Sequence, residues 1–428
     1  MRLVRVIALF AVFALVAAAC GDDDTDTTSA GGGEIEVMWI RGADHPEGQA
    51  FLELLAAFTA ETGIQVNYNG VGDDLPTILS TRVTGGDPPD IAVLAQPGLL
   101  RDLVSRGAAQ PVNQTVQDNM SANYAQVWAD LATVDGTLYG VYFKAGNKSL
   151  VFYDISVFED LDITPPTTWD EWLAVSQTLT DNGYTALAVA GADGWTLSDW
   201  FENAYVRTAG QANYEALTNH EIPWTDQSVK DALAVLEELI ANPEFVAGGR
   251  DGALATGFVQ AITTVYGTGD AAMVEGPGDI AGIAEDETDA VIGTDIAFFP
   301  FPSIDGSPPA VLGGGDVAVA LTDNPGAMAL LEFLSSVEGG EIGVENGFTS
   351  PNQNVDLSLY ADDLSRAIAE ALVNAEVFVF DLSDLVPAAF GGTAGAGIWG
   401  GLQNWLQNPD NVDAVLGQIE AEAAAAQG

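Results

Sequence analysis

The chain has 428 residues, 48% of them hydrophobic, and carries 12 basic against 62 acidic side chains for a net charge of −50. That length predicts two lobes rather than one small core, and the apolar share is ample to bury both. The charge excludes nucleic acid and anionic headgroups as partners. It fits a carboxylate surface screened by cations better than a cation site, because the acids are spread along the chain without metal-loop spacing. With Cys20 the sole cysteine, no intrachain disulfide, thiolate metal site or CxxC pair can form. His45 and His220 are the only histidines, and GxSxG, HExxH and GxxxxGK[ST] are all absent. The sequence therefore predicts no catalytic residue, no metal ligand and no cofactor.

Arg2 and Arg5 precede the apolar run Val6 to Ala19, and small residues lead up to Cys20. This is the order of a secretory signal, residues 1–19, followed by a flexible Gly/Asp/Thr/Ser linker over 20–33. A cut site that ends on cysteine resembles a bacterial lipoprotein signal, with Ala17 where leucine is most usual. That resemblance implies lipidation of Cys20 and an extracytoplasmic protein anchored to the cell membrane. Beyond the leader, no apolar run is long enough to span a bilayer.

From Glu34 onward the pattern is α/β. Glu34 to Ile40 alternates as a strand, Gln49 to Thr62 carries Phe51, Leu54, Leu55 and Phe58 at helical spacing, and Ile64 to Tyr68 is a second strand. Leu75 to Thr84 predicts a helix closed by Gly85 and Gly86, then comes the buried strand Ile91 to Leu94 and a helix from Leu99 to Arg106. Leu138 to Phe143 and Ser149 to Asp154 read as strands. Thr167 or Thr168 caps a helix running to Leu179. Further helices are expected at Trp195 to Thr208, Ser228 to Ile240, Gly252 to Thr264, Pro325 to Leu334, Ser365 to Ala375 and Val412 to Ala425. Strands are expected at Ala271 to Glu275, Ile296 to Pro302 and Asp316 to Leu321, and Gly391 to Gly401 is glycine-rich.

Six segments, taken in order, carry a family resemblance. They are Pro88-Pro89-Asp90-Ile91-Ala92; Asp135-Gly136-Thr137-Leu138-Tyr139-Gly140 before Ser149 to Asp154; Pro165-Pro166-Thr167-Thr168-Trp169; Gly269-Asp270-Ala271-Ala272-Met273 before Glu275-Gly276; Asp316-Val317-Ala318-Val319; and Gly347-Phe348-Thr349-Ser350-Pro351-Asn352. From Glu34 to the C-terminus the chain resembles the extracellular solute-binding proteins of ABC importers, in the maltose and α-glucoside branch. The resemblance implies a two-lobe, periplasmic-binding-protein-like fold with crossover hinge strands and a cleft between the lobes. It implies lobe one as 34–141 with 317–360 and lobe two as 142–316 with 361–428. Closure over a neutral oligosaccharide, an α-glucoside, would present the protein to ABC permease subunits and their ATPase, with the binding protein a monomer.

A sugar needs aromatic faces for its C–H surface and fixed polar groups for its hydroxyls. The loop after the first strand offers Arg41, Asp44, His45 and Glu47, or is simply solvated. Asp73 and Asp74 either bind hydroxyls or cap the following helix. Gln96 follows the third strand, where relatives carry an aromatic. Lys144 and Lys148 flank Asn147 near the expected crossover, either binding hydroxyls or neutralising neighbouring carboxylates. Trp195, with Asp199 close behind it, and Trp399 are the candidate stacking platforms. Glu275, Gly276 and Asp316 complete the set. In Glu275-Gly276-Pro277-Gly278-Asp279, Gly278 replaces the relatives' aromatic and leaves room for a larger ligand or a different pose. Trp169 and Trp172 read as structural. Two other readings compete: the same fold holding a cationic solute such as a polyamine, and a secreted glycoside hydrolase with paired carboxylates.

Overall fold

The computed structural model describes residues 33–373 and 375–426. The leader and Cys20 lie outside the described residues. Twelve strands occur there: β1 (Glu34–Trp39), β2 (Gln65–Gly70), β3 (Ile91–Leu94), β4 (Thr133–Val134), β5 (Thr137–Leu138), β6 (Gly140–Asn147), β7 (Leu150–Asp154), β8 (Leu187–Ala188), β9 (Met273–Gly276), β10 (Ile296–Pro300), β11 (Ala310–Ala320) and β12 (Val377–Phe380). They form a six-stranded sheet, β12-β11-β3-β1-β2 with β6 also on β11, a four-stranded sheet, β10-β7-β9-β8, and the small hairpin β4-β5.

Each sheet has its own apolar core, as the length predicts. Val37, Trp39, Phe51, Leu54, Phe58, Ile91 and Leu94 pack around the first sheet. Val151, Trp172, Trp200, Phe201, Leu236 and Phe301 pack beside the second, with Trp172 stacked on Trp200 at 5.4 Å. Trp169 and Trp172 are structural, as expected. β11 joins the two cores. Its start, Ala310 and Leu312, packs in the second core, and its end, Val317 to Ala320, packs in the first. Two neighbours run beside it. β6 pairs antiparallel from Gly140↔Val319 to Asn147↔Gly313, and β12 pairs parallel from Val377↔Ala310 to Phe380↔Gly313. The chain thus passes between cores at Asn147–Ser149, along β11 and through β12.

Most predicted elements stand within a few residues. Thr168 caps the helix Trp169–Asp181 with a full capping box to Glu171. Some expectations need correction. The single helix from 252 to 264 is two, Gly249–Ala255 and Phe258–Tyr266. It breaks because Asp193 Oδ2 accepts the Phe258 N–H at 2.6 Å and starts a new helix there. β11 begins at Ala310, well before Asp316. The run Gly313-Gly314-Gly315 hid it, since glycine disfavours strands. A Cβ at Gly313 would collide with the Phe378 ring, and one at Gly314 would lie 2.9 Å from Lys148 Cε and push that side chain aside. The glycine-rich run that carries Trp399 enters the helix Gly397–Gln407. No described helix is long and apolar enough to cross a membrane.

Candidate functional site

The crossing segments form the floor of a cavity of about 310 Å³. β6 contributes Lys144, Ala145, Gly146 and Asn147, and β11 contributes Gly314, Gly315 and Asp316. The turn after β12 contributes Asp381, Ser383 and Asp384. One wall comes from the first sheet: Arg41 and Glu47 after β1, and Ala95 and Gln96 after β3. The opposite wall holds Asp193, Trp195, Pro277, Gly278, Asp279 and Trp399. A wider groove of about 1300 Å³ around Arg101, Val127, Glu215 and Val386 shares Pro76 and Leu99 with the cavity but lacks its paired charges.

Two ion networks face this cavity. Lys144 pairs with Glu47 and, at 3.3 Å, with Asp316, while Arg41 Nε donates to Glu47 Oε2 at 2.8 Å. Trp39 Nε1 donates to the other Asp316 oxygen at 3.0 Å. Burial alone would raise the Glu47 carboxyl, but Lys144 and Arg41 outweigh it and hold Glu47 at about 2. Lys148 pairs with Asp381 and, at 3.2 Å, with Asp199, and sits 5.5 Å from the Trp195 ring centroid. Burial opposes its charge, yet Asp199 and Asp381 overcome that and keep Lys148 protonated. Burial pushes Asp199 up, with Lys148 opposing and Asp381 adding to the rise, so Asp381 is the partner that stays ionised.

The structure brings eight of the fifteen candidate residues to one cavity: Arg41, Gln96, Lys144, Asn147, Lys148, Trp195, Asp316 and Trp399. Asp44 is exposed, and His45 caps the helix Pro46–Thr62 by accepting the Glu47 N–H at Nδ1. Asp73 and Asp74 lie in the turn Gly72–Asp74, where Asp74 makes no side-chain cap bond. Asp199 and Glu275 are buried behind the cavity wall, Asp199 on Lys148 and Glu275 accepting from Asn203 Nδ2 at 3.3 Å. Gly276 packs its backbone against Ile280 and Phe258. Both lysines are neutralised by neighbouring carboxylates, one of the two readings the sequence left open. Nor does Gly278 leave empty room: Ile368 Cγ2 lies 3.0 Å from where its Cβ would stand.

Sequence reasoning missed Asp193, Asp279, Asp381, Ser383 and Asp384. Asp193 and Asp279 lay inside segments already singled out, so the signal was present. Asp381 to Asp384 follow β12, a strand too short and too weakly patterned to mark them. Among the described residues, no group of three or more His, Cys, Asp or Glu side chains is arranged to hold a metal ion.

Two sheets with separate cores, joined by crossing strands over a polar cleft with tryptophans at its edge, make a two-lobe fold around a cavity of solute size. Residues 42–341 match the family model of bacterial extracellular solute-binding proteins. The chain belongs to that family, the solute-binding components of ABC importers. It is 37% identical to the osmoprotective compounds-binding protein GgtB of Synechocystis sp., over 86% of this chain and 87% of the relative. It is 30% identical to the alpha-glucosides-binding periplasmic protein AglE of Rhizobium meliloti, over 90% and 87%. The solved solute receptor AcbH, described as preferring β-D-galactopyranose, superposes with a TM-score of 0.81 over 92% of this chain and 99% of that one, at 20% identity.

Proposed function

We propose that this protein captures a neutral, hydroxyl-rich solute of one or two sugar rings, an α-glucoside, and delivers it to an ABC permease by closure of its two lobes. One observation carries the reading. The cavity combines two tryptophan faces, Trp195 and Trp399, with amide and carboxylate groups, while its cationic groups are already paired. Ring faces suit the C–H surface of a sugar, and free carboxylate and amide oxygens suit its hydroxyls. Paired cations leave no charge to attract an anionic solute. A volume near 310 Å³ stands at the low end for ligand sites, which favours a mono- or disaccharide over a longer chain. The names of the two relatives, one for α-glucosides and one for osmoprotective compounds, point the same way.

Closure would move 34–141 with 317–360 against 142–316 with 361–428, hinged where β6, β11 and β12 run side by side. Lipid on Cys20 would keep the clamp at the membrane beside its permease. The test is thermal shift followed by calorimetry with maltose, trehalose, sucrose, galactose and, as contrast, spermidine. Stabilisation by a sugar, growing with its concentration, is the expected result. No response to any sugar refutes the assignment, and a response to spermidine alone moves the cargo to cations.

A further inference from the structure

Most acidic groups lining the cleft are occupied. Glu47 and Asp316 hold Lys144, Asp381 holds Lys148, and Asp193 accepts the Phe258 N–H. Asp279 is different. Among the described residues, it is the cavity-lining residue whose buried side-chain oxygen, Oδ1, has no hydrogen-bond partner. A buried acceptor left unpaired is unfavourable, so a cavity-lining carboxylate that carries one gains from any donor that satisfies it. Asp279 also stands where an N-cap would be for the helix Ile280–Glu287, a place where aspartate normally turns back to accept a helix N–H. Here the side chain makes no cap bond.

The groups around it come from several elements. Arg41 and Glu47, on either side of His45, face it from the segment after β1, and Lys144 from β6. The helix Asp363–Val373 turns Ile368 toward Gly278, while its Arg366 pairs with Asp363 at 2.7 Å. Asp279 therefore reaches in from the β9 side toward a wall built on β1 and β6.

We propose that Asp279 is a specificity-determining residue: its carboxylate, which lines the cavity and makes no cap bond, accepts a hydroxyl of the bound solute, so that the ligand bridges the β9 side of the cleft to the Arg41–Glu47–Lys144 side. This deepens the sugar reading and rests on it. A solute lacking a donor at that point leaves the carboxylate unsatisfied and binds less well. Burial and the nearby charge of Glu47 raise Asp279 to about 6, with Lys144 and Arg41 opposing. The accepting, ionised form thus prevails above that pH and fades below it.

The experiment is calorimetry of the purified protein with maltose, trehalose and sucrose at pH 8 and pH 5, for wild type, Asp279→Ala and Asp279→Asn. The expected result is a loss of tenfold or more in affinity for Asp279→Ala at pH 8. Wild type should weaken severalfold between pH 8 and pH 5, and Asp279→Asn, which keeps the shape and cannot titrate, should show a flat profile. If Asp279→Ala fails to fold, the pH profile of Asp279→Asn decides alone. Equal affinities in all three proteins overturn the proposal. So does a pH dependence that persists in Asp279→Asn, which would assign it to His45. If no sugar binds even the wild type, the sugar reading itself falls and takes this inference with it.

Discussion

Lys144 Nζ lies 3.3 Å from Asp316 Oδ2, and the two residues face each other across the β6–β11 ladder beside a break in register between Asp316 and Val317. A bulge re-aims side chains. Here it turns Asp316 so that one oxygen takes Lys144 and the other takes the indole N–H of Trp39, deep in the first core. The cleft floor is thereby tied to the sheet that supports it.

The same lysine sets a pH dependence through Glu47. Glu47 sits at about 2 when folded and near its ordinary 4.5 when unfolded. A lowered carboxylate contributes stability above pH 4.5 and loses it as the pH falls toward 2. Glu47→Gln is expected to cost on the order of 3 kcal/mol at pH 7, since each tenfold change in proton affinity is worth about 1.4 kcal/mol. The deficit should shrink steadily below pH 4.5. Urea denaturation at pH 7, 4 and 3 checks this, and a deficit independent of pH would refute it.

Lys148 is the counter-ion of the crossing strands. It pairs with Asp199 on the helix Trp195–Ala209 and with Asp381 beyond β12, and Gly314 of β11 makes way for its chain. Lys148→Met leaves those carboxylates buried without a cation, and removing one member of such a network costs about 3–5 kcal/mol. Adding Asp381→Asn removes the stranded ionised acid and should recover part of the loss. Denaturation of the single and double variants measures it. A double variant as unstable as the sum of its parts would show that the residues do not act together.

How far the sequence reached follows from what each signal depends on. The βα start, a helix cap at Thr167 or Thr168 and the buried strand Ile91–Leu94 rest on local pattern, and all were legible. So were Lys144 and Lys148, because two of the three lysines of so acidic a chain flank one asparagine. Asp381 and Asp384 were not legible. They reach the cleft only because β12 pairs with β11 more than sixty residues earlier, and no local pattern encodes that pairing. Asp199 failed for the opposite reason. It was singled out for its place close behind Trp195, but the helix turns it inward onto Lys148.

The two tryptophans at the cleft edge should separate from those in the core. Trp195 and Trp399 are half-buried, with Trp195 set against Phe258 at 4.9 Å and Trp399 Nε1 3.4 Å from Ser383 Oγ. Replacing either by alanine should weaken sugar binding by tenfold or more, with a modest change in melting temperature. Trp172→Ala should instead cost about 3–5 kcal/mol of stability, since that ring is fully enclosed. Calorimetry and thermal melts on the three variants check the contrast. A Trp399→Ala protein that binds sugar as wild type does would remove Trp399 from the site.

Asp279 predicts a conflict between stability and binding. Its folded value of about 6 lies above its ordinary 3.8. For a carboxylate shifted upward, the favourable contribution is complete below pH 3.8 and is lost as the pH climbs through 6. Ligand-free wild type should therefore carry a penalty at pH 8 that Asp279→Asn, unable to ionise, avoids. The variant is expected to be more stable by on the order of 2 kcal/mol at pH 8 and no more stable at pH 4. Saturating sugar should narrow the gap at pH 8, because the bound hydroxyl gives the wild-type carboxylate the partner it otherwise lacks. Melting curves from pH 4 to 8, with and without sugar, measure both effects. A gain that is the same at pH 4 and pH 8 would mean that the substitution merely improves packing, and that the Asp279 carboxylate is not held ready for a ligand.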